Sequence, residues 1–359
     1  MLCDAIMADL SALLAWQVHS DRRLDTPTIV LLGSVLVVLA IAFAVSRLLS
    51  RHPDTTLDPA AVRTFKRRIR SWLTMYSILA LGIFLGKTVT VILFGLVSFW
   101  ALREFVTMTP TRRGDHRALF WTFFLFTPLQ FVFVGIGDHF KNFDFYALYT
   151  IMIPVYASLL IPARIALSGD DKRFLERSAK IQFGLLVCVY ALSHAPAILD
   201  LNLLTREWDS DVMKWKFNPW RGSTYGLLVY FVLVVQLSEA AQYVWDRILG
   251  KHVIAPSING TKSWEGFLGG VLSTAFIGVL LWLTGVTPFT WYGSALMSLV
   301  IAVMGFAGSM TMSAIKRDRG VSDYGTLVQG HAGVLDRIDS MCFAAPVFFH
   351  LTRFFLGPV

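Results

Sequence analysis

The stretch Ile29-Val-Leu-Leu-Gly-Ser-Val-Leu-Val-Val-Leu-Ala-Ile-Ala-Phe-Ala-Val-Ser46 carries no charge across 18 residues, and Arg47 closes it. A helix rises about 1.5 Å per residue, so a segment of this size crosses most of the roughly 30 Å of a bilayer's hydrocarbon. Comparable stretches recur to the end of the chain. They run from about Trp72 to Gly86, Val89 to Leu102, Ala118 to Gly137, Phe145 to Pro162 and Ile181 to Leu199. Four more cover about Gly226 to Ala241, Phe267 to Leu283, Trp291 to Ile315 and Met341 to Leu356. The pattern predicts an all-α, polytopic integral membrane protein with about ten transmembrane helices. Only Gly86, Lys87 and Thr88 separate the second span from the third, so a hairpin and one long tilted helix both remain open.

Composition agrees. Of 359 residues, 55% are hydrophobic and 16% charged, with a mean hydropathy of +0.59. Soluble domains carry about 25% charged residues, and no room is left here for a large one. The net charge of +8 fits basic loops of a membrane protein, so no nucleic-acid partner is expected. Cys3, Cys188 and Cys342 are too far apart for a disulfide framework or a metal knuckle, and the latter two read as small hydrophobes. Asp4 and Asp9 precede any basic residue, so residues 1–28 read as a lead-in without a signal-peptide pattern.

Basic residues set an orientation. Arg47, Arg51, Arg63, Lys66, Arg67, Arg68 and Arg70 follow the first span. Counting spans from there puts Arg103, Arg112, Arg113 and Arg117 on the same cytoplasmic side, with Arg164, Lys172, Arg173, Arg177 and Lys180. The run around Arg63–Arg70 reads first as topology and contact with anionic headgroups, and second as a substrate-phosphate site. The same count brings Asp246–Lys262 and Lys316–Asp339 to the cytoplasm, and these segments carry the chemistry.

Glu239 lies about one turn inside the end of its span, with Gln242 on the same face. A carboxylate at that depth is costly unless it is paired, hydrated or holds a cation; the bland alternative is an interhelical hydrogen bond. Glu265, just after Lys262, is placed to cap the next span, and Gly266 and Gly270 have the spacing of a close helix contact. In the second segment Ser309, Ser313 and Lys316 or Arg317 fall on one helical stripe. Gly330 and Gly333 flank His331, which either orients a phosphate or closes a turn. Asp336 and Asp339, three apart, face one way, and Arg337 faces another. Carboxylates gathered with Lys and Arg suit phosphoryl or nucleotidyl chemistry, in which two anionic reactants must be neutralised together. A salt-bridged loop is the bland alternative.

At these residues the sequence resembles the phosphatidate cytidylyltransferases, or CDP-diacylglycerol synthases. The resemblance rests on Ser313, Lys316-Arg317, Ser322-Asp323, His331-Ala-Gly333 and Asp336-Arg-Ile-Asp339, and upstream on Gly250-Lys-His252 and Asn259-Gly-Thr-Lys-Ser-Trp-Glu-Gly266. Together these occupy about the last 120 residues; earlier spans match in general character only. The resemblance implies a nucleotidyltransferase of phospholipid biosynthesis, in which phosphatidic acid attacks CTP to give CDP-diacylglycerol and pyrophosphate with Mg²⁺. It implies catalytic roles for Asp336, Asp339, Lys316 and Arg317, and Mg²⁺ ligation by Asp336, Asp339 and Glu239. It further implies substrate binding by Lys262, Ser263, Glu265, Ser313, Asp323, His331 and Arg337. Residues 29–222 then form an N-terminal transmembrane region and 223–359 the catalytic one. Its partners are CTP, phosphatidic acid and membrane lipids, with a homodimer left open, in the bacterial inner membrane.

Several positions depart from the family pattern. Ser309 stands where family members carry a metal-site Asp, Ser322 replaces a Lys, Ala332 a Gly, Gln329 a Pro, and Asn259-Gly260 a Ser-Pro pair. A neutral hydroxyl at 309 offsets less of a cation's charge, and Ala332 restricts a turn that Gly leaves free. A catalytically impaired relative that binds lipid, nucleotide or a partner is the second reading. A secondary transporter using Glu239 is the third, although it calls for repeated halves with broken helices at mid-membrane.

Overall fold

The computed structural model describes residues 24–49, 59–108, 111–137, 145–209, 214–321 and 333–357. Most of the lead-in, and both Asp323 and His331, lie outside them, as do the side chains of Arg63, Lys66, Arg67 and Arg68. Among the described residues there is a helix at each expected span: α1 (Thr26–Leu49), α2 (Pro59–Leu85), α3 (Lys87–Thr107), α4 (Arg113–Ile136) and α5 (Phe145–Ala166). These are followed by α6 (Phe174–Asp200), α7 (Thr224–Leu249), α8 (Trp264–Trp282), α9 (Trp291–Asp318) and α10 (Leu335–Leu356). Eight are long and apolar enough to cross a membrane; the apolar part of α2, Trp72–Leu85, is shorter, and α10 is more polar. The chain is an all-α polytopic integral membrane protein.

The junction at Gly86 is a turn between two helices. Its φ of 99° lies in the region open chiefly to glycine, and Gly82 packs against Thr90 and Leu93 beyond it. A single tilted helix would hold residues 82 and 93 far apart.

What faces outward is apolar. Leu268, Leu272, Phe276 and Leu280 form an exposed stripe at four-residue spacing along α8, which only lipid can cover at this length. The opposite face of α8 is lined with small residues against α7. A Cβ at Gly266 would stand 1.7 Å from Asp246 Oδ1, and one at Gly270 2.3 Å from Gln242 Cγ. Lipid tails supply no hydrophobic drive between helices, so such close backbone approach is what holds the pair together.

α7 is the axis of the bundle. Leu227 through Val235 are all buried, and every face of this stretch is apolar, as an enclosed helix requires. Tyr230 ties it to α9 by donating to the Ser294 carbonyl at 3.1 Å and meeting Ser298 Oγ at 2.7 Å, while Phe231 stacks on Phe348 of α10. α3 joins α6 through Ser98 Oγ, which donates to the Cys188 carbonyl at 2.6 Å; Cys188 and Cys342 are themselves buried and free.

Helices α4, α5 and α6 each contain one wide π turn, at Thr122–Phe126, Met152–Ala157 and Leu186–Ala191. Such a turn loosens carbonyls that lipid cannot satisfy. Thr127 Oγ1 answers the Thr122 carbonyl at 2.8 Å and Ser158 Oγ the Ile153 carbonyl at 3.1 Å, each five residues back.

Two short antiparallel ribbons interrupt what the sequence presents as loops: β1 (Leu204–Asp209) with β2 (Lys214–Pro219), and β3 (Val253–Ala255) with β4 (Asn259–Ser263). The basic links gather at the end of the bundle that also holds β3 and β4. There Arg177 reaches Asp115 at 3.0 Å and Asp170 at 2.8 Å, and Arg112 reaches Asp170 at 3.4 Å. Lys87 and Asp200 pair at the opposite end.

Candidate active site

Four helix ends converge beside β3 and β4: the last turns of α7 and α9 and the first turns of α8 and α10. Their geometry decides which polar side chains meet.

The contact of α9 with α10 is built on small residues. Gly305 and Gly308 lie against Ser340 and Asp339, and Ser238 of α7 approaches Gly305. Asp339 is buried, and its Oδ1 accepts the backbone N–H of Ser340 at 2.7 Å. One turn earlier, Asp336 Oδ1 accepts from Lys316 Nζ at 2.8 Å, with 13% and 18% of the two side chains exposed. Glu239, Lys316 and Asp336 all lie within electrostatic reach of Asp339. Tyr76 of α2, whose ring is buried, lies within reach of Glu239. The three expected carboxylates therefore share one neighbourhood with one lysine. Arg337 lies within electrostatic reach of Asp336, Arg70 and Glu104.

A second group forms along α7, where Glu239, Gln242 and Asp246 follow one another at three- and four-residue steps on one face. Lys262 Nζ donates to Gln242 Oε1 at 3.3 Å and stands 3.8 Å from Asp246 Oδ2. Asp246 Oδ1 accepts from the backbone N–H of Ser263 at 2.9 Å and from its hydroxyl at 2.7 Å. Ser263 Oγ in turn accepts the N–H of Gly266 at 3.0 Å, so Ser263 is the N-cap of α8. This corrects the expectation that Glu265 caps this helix. The shorter serine reaches its own helix, whereas Glu265 turns back to accept the amides of Lys251 at 3.3 Å and His252 at 3.1 Å and pairs with the His252 ring. Glu265 thus holds the Gly250–His252 turn.

Ser313 and Arg317 face the β3–β4 ribbon. Asn259 Nδ2 donates to Ser313 Oγ at 3.3 Å, and Arg317 Nε to the Ile258 carbonyl at 3.1 Å. Arg317 is exposed. Of the stripe expected from the sequence, Ser313 and Arg317 brace the ribbon, whereas Lys316 turns to Asp336.

Among the described residues, no group of three His, Cys, Asp or Glu side chains is arranged to hold a metal ion. The donors do match a cation that takes one or two carboxylates and completes its octahedron with substrate phosphates and water, as Mg²⁺ does. Asp336 and Asp339 supply such a pair of hard oxygen donors, with Glu239 nearby and the Ser309 hydroxyl next to Gly308.

Three contributors escape sequence reading. Asp246 organises both Lys262 and Ser263, Tyr76 brings α2 to Glu239, and Glu104 of α3 accepts the first amides of α10. Glu104 and Asp246 each had one signal, a carboxylate at the end of an apolar span.

The cytidylyltransferase family model matches residues 66–355. YnbB of Escherichia coli strain K12, an uncharacterized protein, is 32% identical over 329 residues, which are 90% of this chain and 97% of that one. The phosphatidate cytidylyltransferase of Haemophilus influenzae is 34% identical over 136 residues, 36% of this chain and 46% of that enzyme. That of Bacillus subtilis is 32% identical over 133 residues, 36% of this chain and 49% of its own. The chain thus matches about half the length of these named enzymes.

Proposed function

The chain belongs to the cytidylyltransferase family, and from that premise we propose that it is a CTP:phosphatidate cytidylyltransferase working at the cytoplasmic face of the inner membrane. The observation that carries this reading is the Lys316–Asp336 contact beside buried Asp339, within reach of Glu239, at the end of the bundle that also holds β3 and β4.

The phosphate oxygen of phosphatidic acid forms a new bond to the α-phosphorus of CTP, and the bond from that phosphorus to the bridging oxygen of pyrophosphate breaks. A phosphomonoester with a second pKa near 6 is already largely ionised at neutral pH, so no general base is needed. Asp336 and Asp339 would hold Mg²⁺, with Glu239 in support, and the ion would supply positive charge to bring the two anions together. Lys316 stands ready to move from Asp336 to a phosphate oxygen, and the exposed guanidinium of Arg317 is available to meet the triphosphate. Lys262 presents its ammonium from the neighbouring wall. These cations stabilise the charge that spreads over the equatorial oxygens as the bond transfers. The bundle holds this chemistry at one end, where a lipid phosphate and a soluble nucleotide can both arrive.

Incubation of the purified protein with labelled CTP, phosphatidic acid and Mg²⁺ should move the cytidine label into lipid and release pyrophosphate. Absence of lipid label at saturating Mg²⁺ would refute the reading. A relative with impaired turnover is the second reading, and the hydroxyl of Ser309 in place of the family's carboxylate favours it.

A further inference from the structure

Glu104 lies in the last full turn of α3, 9% exposed, and both its carboxylate oxygens are engaged. Oε1 accepts the backbone N–H of Val334 at 3.0 Å and the indole N–H of Trp100 at 3.1 Å. Oε2 accepts the backbone N–H of Leu335 at 2.9 Å. The amides that open a helix have no partner within it, and the positive end of the helix dipole favours an anion there. Val334, the N-cap residue, offers no side-chain acceptor and makes no side-chain cap. A carboxylate from a helix 230 residues earlier in the chain takes that place. Asp336 follows directly on the clamped Leu335 amide, and Asp339 lies one turn further on.

We propose that Glu104 is a positioning residue for nucleotidyl transfer. It fixes the axial position and rotation of the first turn of α10, and so keeps Asp336 at Lys316 and Asp339 against Gly308. The inference rests on the reading of the Asp336–Asp339 face as the reaction site. Without the clamp the first turn of α10 is open at its amides and frays. A reacting group displaced by about 1 Å costs on the order of 10²-fold in rate.

Two variants loosen the clamp from opposite sides. Glu104→Gln keeps the shape but turns an NH₂ toward one of the two amide donors. Val334→Pro deletes one donor and leaves the carboxylate intact, and the φ of −63° at Val334 already suits proline. In the full-length protein, lipid labelling from CTP is compared per folded molecule, alongside amide hydrogen exchange over residues 334–340. Glu104→Gln should lower kcat on the order of 10²-fold, and Val334→Pro about tenfold, with KM for CTP held within about twofold. Exchange at the start of α10 should quicken in both. Unchanged kcat in both variants beside an active wild type would overturn the inference alone, whether or not exchange quickened, because the clamp would then serve the fold and not the reaction. A wild type that labels no lipid would overturn the functional reading, and this inference with it.

Discussion

Removing the charge of Asp336 tests whether this carboxylate takes part in the reaction or merely accompanies Lys316. At 2.8 Å and an effective dielectric of about 20, the gross attraction between the pair is about 6 kcal/mol. Desolvation of two ions that retain 13% and 18% of their side-chain exposure offsets most of it. The net contribution expected of a charge-assisted hydrogen bond is then about 1.5–3 kcal/mol. Asp336→Asn and Lys316→Met should each destabilise the detergent-solubilised protein by about 2 kcal/mol, and the double variant by little more than either alone. Activity should behave differently. Loss of a carboxylate that would hold the charge-stabilising cation at the reacting phosphates is expected to cost about 10²–10³-fold in kcat, and Asp336→Asn should show this drop with either Lys or Met at position 316. Thermal unfolding and lipid labelling from CTP on the four proteins complete the cycle. If Asp336→Asn has no further effect on rate once Lys316 is methionine, the carboxylate is only the counter-ion of the lysine, and its role in transfer is refuted.

Other perturbations probe separate parts of the structure. Ser309→Asp restores a carboxylate next to Gly308 and should lower the half-saturating Mg²⁺ concentration about tenfold; an unchanged Mg²⁺ titration would exclude a metal site weakened at this position. Gly270→Leu drives side-chain atoms into Gln242, where even a Cβ would come within 2.8 Å of Cα, and should cost at least about 1–3 kcal/mol. Gly33→Ala meets nothing within 4 Å and is the matched control, so equal unfolding midpoints would refute the close-packing account. Partial desolvation alone would raise the Asp170 carboxyl, but the Lys172 amide, Arg177 and Arg112 outweigh it and hold it below the ordinary carboxylate range. A lowered folded pKa stabilises above the unfolded value of about 4, and that contribution is lost as pH falls through the folded pKa. The stability difference between wild type and Asp170→Asn should therefore be constant from about pH 5 to 7 and shrink toward pH 3; a difference that grows on acidification would contradict the ion-pair assignment.

The spans were legible because lipid imposes a length and an exclusion of charge that few sequences meet by accident. Ile29–Ser46 and Trp291–Ile315 needed no partner to be recognised. Their ends were less legible, since α2 begins at Pro59 and α9 runs on to Asp318, helical geometry continuing where the hydrocarbon stops. Asp336, Asp339 and Lys316 stood out as charges in a charge-poor chain; helical spacing grouped the two aspartates, whereas the contact of Lys316 with Asp336 joins two helices and has no spacing signal. Glu104 did not stand out. Between Arg103 and Phe105 it looks like an ordinary charge at a span's end, and what it binds is backbone, which no side-chain pattern announces. The cap of α8 was misread for a related reason: Ser263 and Glu265 both suit a helix start, and only the position of Asp246 and the His252 turn separates them. The β3–β4 ribbon is too short for an alternating pattern to register against the background.

The dependence of α10 on a carboxylate from α3 bears on biogenesis. α10 leaves the ribosome 230 residues after its anchor, which by then is already in the bilayer. A fragment that starts at Ser223 would carry the motifs on which the family resemblance rests, yet it would lack the Glu104 carboxylate that accepts the opening amides of α10. On the proposed role of Glu104, the motif half would then not be a transplantable module, and the first turn of α10 would wait on α3.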